Sequence, residues 1–430
     1  MAQGPNLIFD KSTLESLNLD EAVLLDNFYR SNITPLFFVE CLADLEKTIK
    51  SRSTPEQLVG SLALRTPESQ VCANVHHGKI LEGELSRQFD LTKTFERPLV
   101  SGGKPVQLGD QMGMYYQRGP EEEALDRWSR HEFLAVERQF AKDWRTALMQ
   151  IDHTTLVNRI MSAIGPWRKP KSLEDARQLT DLIIDNLDAE TLLRFGMDLL
   201  GVPQATTWVI NDWVQHRRPS LRVYVPYFIH MLSINIFFAL VIPTQLLRDV
   251  KESHQIDLAY LYYLPFCSVF SSKDRFHRQI VPLFLTPHQT FVEGHDLKAE
   301  LQKLDAYYSA FPEDVKANGF YSYATMPPKD TSFLTTQLWD KYLPAWRHKD
   351  PDRPDLNDPV IQADIMEQLK KYDPDSPDVK PHDERNSDKL HFVTIQRRVR
   401  AVKGKWRIFP KEAEERMRAG QDGSGEPSPG

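Results

Sequence analysis

Two groups of carboxylates, more than two hundred residues apart, each abut an apolar run. Asp10 follows Leu7-Ile8-Phe9, with a hydroxyl, Ser12, two positions on. Glu40 and Asp44 lie in Pro35-Leu36-Phe37-Phe38-Val39-Glu40-Cys41-Leu42-Ala43-Asp44. The distant group is Asp257, then Phe266 to Phe270, then Ser271-Ser272-Lys273-Asp274. Carboxylates beside buried apolar chain are costly unless cations or hydrogen bonds compensate them. Several of them converging would make a site for a hard divalent cation.

The elements that must position these acids are short. Leu7 to Phe9 reads as a buried strand ending at Asp10, after which Ser12 or Asp20 can cap helical turns. Ile33 to Val39 is β-branched and aromatic enough for a second strand, while Pro35 can equally open a helix through Lys50. On that helix Glu40 and Asp44 would share a face. Asp257 opens a helix through Tyr263, Pro265 cuts it, and Phe266 to Phe270 is a strand candidate with a loop at Ser271 to Asp274. His277 to Phe284 has a helical pattern.

The intervening chain is mainly helical by pattern. A helix starts at Pro120 with Glu121, Glu122 and Glu123 in its first turn, where its dipole favours them. Leu125, Trp128, Val136, Phe140, Trp144 and Leu148 recur along it as a packing stripe. Ser172 with Asp175 resembles a capping box. The apolar stretch from Val223 to Pro243 is long enough for a membrane span, but Pro226, His230, Ser233 and Asn235 interrupt it, so a buried core helix is expected.

Composition narrows the class. With 430 residues, 41% of them apolar, the chain can build a sizeable core of two or three domains. The net charge of −7 does not advertise nucleic-acid binding, though a local basic stripe can still carry it. Cys41, Cys72 and Cys267 form no CxxC pair, which favours a reducing cytoplasm over a disulfide framework. The beginning of the chain shows no basic-then-apolar secretory pattern.

Taken in order, the acids resemble a PIN-like domain: an apolar strand with Asp10, Glu40 on the next helix, Asp257 opening a later helix, and a strand ending in Ser272-x-Asp274. The resemblance covers residues 7 to about 50 and about 180 to 285, with a domain-sized stretch inserted between the second and third acids. It implies an α/β fold, a parallel sheet flanked by helices, and metal-dependent cleavage of phosphodiesters, usually RNA. By the resemblance, Asp10, Asp257 and Asp274 would hold Mg²⁺ or Mn²⁺, and Glu40 would hold metal or orient the attacking water. Ser12 and Ser272 would fix the acids by hydrogen bonds. Lys11, Arg275 and Arg278 are candidate phosphate contacts, against a reading as solvated surface charge.

Each acid also has a plain reading: a helix cap for Asp10 or Asp257, a pair with Lys47 for Glu40, a turn for Asp274. The segment Phe9-Asp10-Lys11-Ser12-Thr13 is also faintly similar to haloacid dehalogenase-like phosphatases, but their second Asp is here Ser12. His131 and Glu132 lack the second His of a zinc-protease helix, and there is no P-loop pattern. His76-His77 reads as loop surface.

Near the end of the chain, Arg397, Arg398, Arg400, Lys403, Lys405 and Arg407 surround Trp406, with Gly404 as the turn of a hairpin. Arg397, Arg398, Arg400 and Lys405 are candidate nucleic-acid contacts, with Trp406 as a stacking ring, against a solvated hairpin face. The expected organisation is a discontinuous PIN-like core (1–50 and 180–290), a helical insertion (51–179), a mixed C-terminal region (291–417) and a disordered tail (418–430). The expected partner is RNA or single-stranded DNA, RNA the more favoured. The rival is a non-catalytic scaffold that binds RNA or a protein through the insertion, around Trp128 and Trp144.

Overall fold

Leu7, Ile8 and Phe9 are all buried, so the strand they form is covered on both faces. That is the signature of a parallel sheet between helical layers. The computed structural model describes residues 4–46, 53–88, 99–100, 103–149, 153–165, 167–244, 246–247, 254–348, 379–381 and 392–411, with single positions at 358, 360, 361, 363 and 367. Among these the strands in chain order are β1 (Asn6–Phe9), β2 (Arg30–Ile33), β3 (Val71–Ala73), β4 (Gly103–Leu108), β5 (Gln111–Tyr116), β6 (Val269–Ser272), β7 (Thr290–Glu293), β8 (Val379–Pro381), β9 (Phe392–Ile395), β10 (Val402–Lys403) and β11 (Trp406–Arg407).

The main sheet has the order β3-β2-β1-β6-β7, and every pairing in it is parallel. The protein is therefore α/β. Side chains alternate across the sheet as the pleat requires. Leu7, Phe9 and Val269 enter one core with Phe28, Phe37, Leu301 and Trp339. Ile8 and Phe270 enter the other, under Phe228, Leu232 and Phe237. A second sheet, β8-β4-β5-β9, is built on the antiparallel β4–β5 hairpin.

The Val223–Pro243 stretch forms the helix Pro226–Val241, which is apolar on every side and buried almost throughout. Including the turn that follows it, it is long and apolar enough by composition to cross a membrane, yet 78% of that window is buried in the protein. Its N-cap position is Val225, which offers no side-chain acceptor. Glu84, 143 residues earlier, supplies it: its two oxygens accept the Tyr227 and Phe228 backbone N–H groups at 2.8 Å.

Several local expectations are corrected. Asp10 and Asn18, rather than Ser12 and Asp20, cap the first two helices. The alternative at Pro35 resolves as a helix, Pro35–Ala43, after the short strand β2. The Pro120 helix stops at Ser129, and a second runs Ala135–Met149; His131 between them has φ 63°. Trp128 is buried, but Val136 and Phe140 are exposed, so these two do not continue the stripe; the Trp144 and Leu148 side chains lie outside those described.

The stretch 51–179 is not purely helical. It supplies β3 to the main sheet and the β4–β5 hairpin to the second. The three-residue β3 is held by its lead-in: both Asp26 oxygens accept backbone N–H groups of Glu68, Ser69 and Gln70. Strand β7 lies across the expected boundary at 290, and the Trp339 indole N–H donates to Phe28 O, so the C-terminal region shares the core. The Gly404 turn forms as expected, with φ 60°; a Cβ there would lie 2.0 Å from the Asp20 carboxylate. The tail 418–430 lies outside the described residues.

Candidate active site at the carboxyl edge of the sheet

Strand β1 is followed in sequence by its neighbour β2 on one side, while its other neighbour, β6, arrives after a long excursion. This is a topological switch point, where the carboxyl ends of neighbouring strands open a crevice. Asp10 leaves the end of β1 there, and Ser272 and Asp274 leave β6. The Asp10 backbone N–H donates to Ser271 O across the strand pair.

Asp10 is 4% exposed, and its carboxylate is well supplied with donors. The Thr13 N–H donates to Oδ1 at 2.9 Å, and the Ser12 hydroxyl lies 2.8–2.9 Å from both oxygens. The Ser272 hydroxyl donates to Oδ2 at 2.6 Å. Each serine also accepts a backbone N–H: Ser12 Oγ from Lys273 just beyond β6, and Ser272 Oγ from Asp274 two residues on. Both serines thus hydrogen-bond Asp10, and the Ser272 and Ser12 bonds tie the ends of β1 and β6 together. Asp274 itself caps the helix Arg275–Ile280, accepting the Phe276 N–H.

Sequence reasoning missed His277, which is fully buried behind this cluster. Its Nδ1 lies 2.9 Å from Ser272 Oγ and 3.5 Å from Asp10 Oδ2; its Nε2 lies 2.8 Å from the Asp257 carbonyl. Burial pushes the imidazole down, but the Asp10 hydrogen bond and the charges of Asp257 and Asp10 outweigh it and raise the pKa to about 9. A protonated ring donates from both nitrogens, toward Ser272 and to Asp257 O. Burial would raise Asp10, yet the bond and charge of His277, then Ser272 and Ser12, hold it below 3.8. The pair is a buried carboxylate and imidazolium. The available signal was His277 three residues beyond Asp274, one turn into the helix that acid caps.

Glu40 and Asp257 supply the other side. Glu40 sits on Pro35–Ala43, and Tyr260, one turn beyond Asp257 on the helix His254–Leu261, donates its hydroxyl to Glu40 Oε2 at 2.6 Å. Tyr260 is a second residue that sequence reasoning missed. Burial drives Glu40 up to about 8 against the Tyr260 bond; Asp10 and Asp257 add to the rise and Lys11 opposes it. Asp257 rises to about 6, through burial first and then, against His277, through Asp274 and Asp10. The four acids are thus brought into one electrostatic neighbourhood.

The donor set suits a hard divalent cation, being carboxylate oxygens with more negative charge than His277 and Lys11 offset. However, among the described residues no three Asp, Glu, His or Cys side chains are grouped closely enough to hold a metal ion as they stand. Asp10 is committed to protein donors, Glu40 accepts the Tyr260 hydroxyl and Asp274 accepts the Phe276 N–H.

The basic residues are placed differently from the phosphate-contact expectation. Lys11 is largely buried and bonds Asp44 at 2.8 Å, which turns it away from solvent. Arg278 pairs with Glu293 at 3.0 Å, while Arg275 is exposed. Arg397 bonds Glu122 and the Val71 carbonyl, Arg398 bonds Asp126, and Arg400 bonds Glu68. Lys405 bonds Asp305, and Trp406 is 4% exposed, its indole N–H on Asp305. A buried indole cannot stack on a base, so this hairpin fastens the C-terminal strap to the protein. The pair expected between Glu40 and Lys47 falls on a residue outside those described. Comparison with protein-family models, curated proteins and solved structures finds no match to this chain.

Proposed function

We propose that this protein is a divalent-metal-dependent hydrolase of phosphodiester bonds, with a PIN-like core and single-stranded RNA as its substrate. The observation that carries the reading is that Asp10 and Asp274 follow the carboxyl ends of the adjacent parallel strands β1 and β6 at a switch point, with His277 linking Asp10 to the Asp257 backbone and Tyr260, one turn beyond Asp257, bonding Glu40. Mg²⁺ or Mn²⁺ bound by Glu40, Asp257 and Asp274 would polarise the phosphate and acidify water.

The protein's own groups have distinct parts. Asp10 and the His277 imidazolium set a fixed field at the floor, and the two serines hold Asp10 in one orientation. Glu40, with a pKa near 8, carries a proton at neutral pH in the metal-free protein and can exchange it with a bound water. The Tyr260 hydroxyl fixes its carboxyl by a 2.6 Å hydrogen bond. The three free cysteines fit a cytoplasmic setting.

The second reading is a non-catalytic PIN-like scaffold. It is favoured by one observation, that the Asp10 carboxylate already has its hydrogen bonds filled by Thr13, Ser12 and Ser272. The test is cleavage of labelled single-stranded RNA with Mg²⁺ or Mn²⁺ and with chelator, for the natural chain and Asp257→Asn. The hydrolase reading predicts metal-dependent products that the variant loses. Absence of products from both RNA and single-stranded DNA overturns it, and turnover of a small phosphate monoester alone would favour a phosphatase with Asp10 as nucleophile.

A further inference from the structure

The C-terminal strap closes over a cavity of about 550 Å³ beside the outer edge of the main sheet. Its apolar surface comes from Ile33 at the end of β2, Phe38 and Leu125. Its charged lining is five arginines, Arg118, Arg130, Arg397, Arg398 and Arg400, against three carboxylates, Glu68, Glu122 and Asp126.

The pairing is unequal in a specific way. Asp126 alone receives Arg130 at 2.9 Å, Arg398 at 3.2 Å and Arg118 at 3.6 Å. Arg130 has a further acid in Glu132 at 3.0 Å, whereas no other carboxylate bonds Arg118 or Arg398 among the described residues. Glu68 in turn takes both Arg400 and the buried Lys403. Five guanidiniums against three carboxylates leave the lining with an excess of positive charge, in a protein whose overall charge is −7. Guanidinium forks match the oxygens of a phosphate, and an apolar wall suits the flat face of a base. The volume is within the range of small-molecule sites.

We propose that this cavity binds a nucleotide, with its phosphate on Arg118 and Arg398 and its base against the apolar wall. None of the four acids lines this cavity, and nothing in its chemistry depends on hydrolysis by them. The nucleotide can be free or one unit of a strand; the phosphate chemistry is the same.

The test is calorimetric titration of the full chain with adenosine 5′-monophosphate, adenosine, inorganic phosphate and a six-nucleotide single-stranded RNA. Asp257→Asn serves as the background, so that cleavage neither contributes nor decides the result. The double variant Arg118→Ala/Arg398→Ala should weaken nucleotide binding by about tenfold or more, since charge-assisted bonds are lost. Asp126→Asn, which frees the same guanidiniums, should tighten it. An unchanged melting curve for each variant separates these effects from folding. Tighter binding of the monophosphate assigns the free nucleotide, and tighter binding of the oligomer assigns a strand. The proposal is overturned if neither phosphorylated probe binds, if adenosine binds as well as its phosphate, or if the double variant, folded, binds unchanged.

Discussion

Replacing Glu40 by glutamine should make the metal-free protein more stable, by a margin that opens above about pH 4.5 and is complete near pH 8. The Glu40 pKa moves from 4.5 in the unfolded chain to about 8 in the fold. Its folded-state pKa is raised, so the folded state binds the extra proton between those values. Stability is therefore full below the unfolded pKa and is lost as pH rises through the folded one. Each pH unit separating the two values corresponds to about 1.36 kcal/mol, which would put the loss at ~5 kcal/mol. Glu40 retains part of its exposure, so solvent screening brings the expected figure to ~2–3 kcal/mol. Glutamine keeps an oxygen for the Tyr260 hydroxyl but has no proton to lose. In urea unfolding with chelator, Glu40→Gln and the natural chain should match at about pH 4 and diverge by ~2–3 kcal/mol at about pH 8.5, the variant being the more stable. Asp257 titrates in both proteins and cancels from the comparison to first order. Saturating Mg²⁺ should narrow the gap by stabilising the natural chain, because the cation takes the place of the proton. A difference that does not change with pH, or a less stable variant at alkaline pH, would refute this reasoning.

Three further outcomes are expected. Asp10→Asn leaves the His277 imidazolium buried without its carboxylate and should cost about 3–5 kcal/mol at neutral pH, measured by urea unfolding. His277→Gln keeps a hydrogen-bonding group near Ser272 but removes the positive charge, so Asp257 should titrate above its present value of about 6, a change readable by carbon-13 NMR of labelled aspartate. Asp26→Ala frees three backbone N–H groups ahead of β3 and should lower stability by ~2–3 kcal/mol, with faster hydrogen exchange across Glu68 to Ala73 than elsewhere in the sheet.

The parts of this architecture legible in the sequence were those with a local cause. An apolar triplet before Asp10 read as a strand, and Phe266 to Phe270 as a candidate for a second, which the fold places two to three residues later at Val269–Ser272. The polar interruptions of the apolar stretch from Val223 to Pro243 favoured a buried helix over a membrane span, and Pro226–Val241 is buried. Other features depend on chain that returns from far away. Tyr260 meets Glu40 across 220 residues, and His277 meets Asp10 only because β6 pairs with β1. Strand β3 is three residues long and takes its place from Asp26, so no periodicity marks it. The basic stretch read as solvent-facing because its acids, Glu68, Glu122, Asp126 and Asp305, lie 100 to more than 300 residues before it. A charge run reveals its own sign but not the partners that the fold brings to it.

Calorimetric titration of chelator-treated protein with Mn²⁺, repeated on Asp257→Asn, is the most direct probe of whether these acids share a cation. Saturable binding to the natural chain, lost or strongly weakened in the variant, is the predicted result. No binding heat in the natural chain, or an isotherm that Asp257→Asn leaves unaltered, would contradict it.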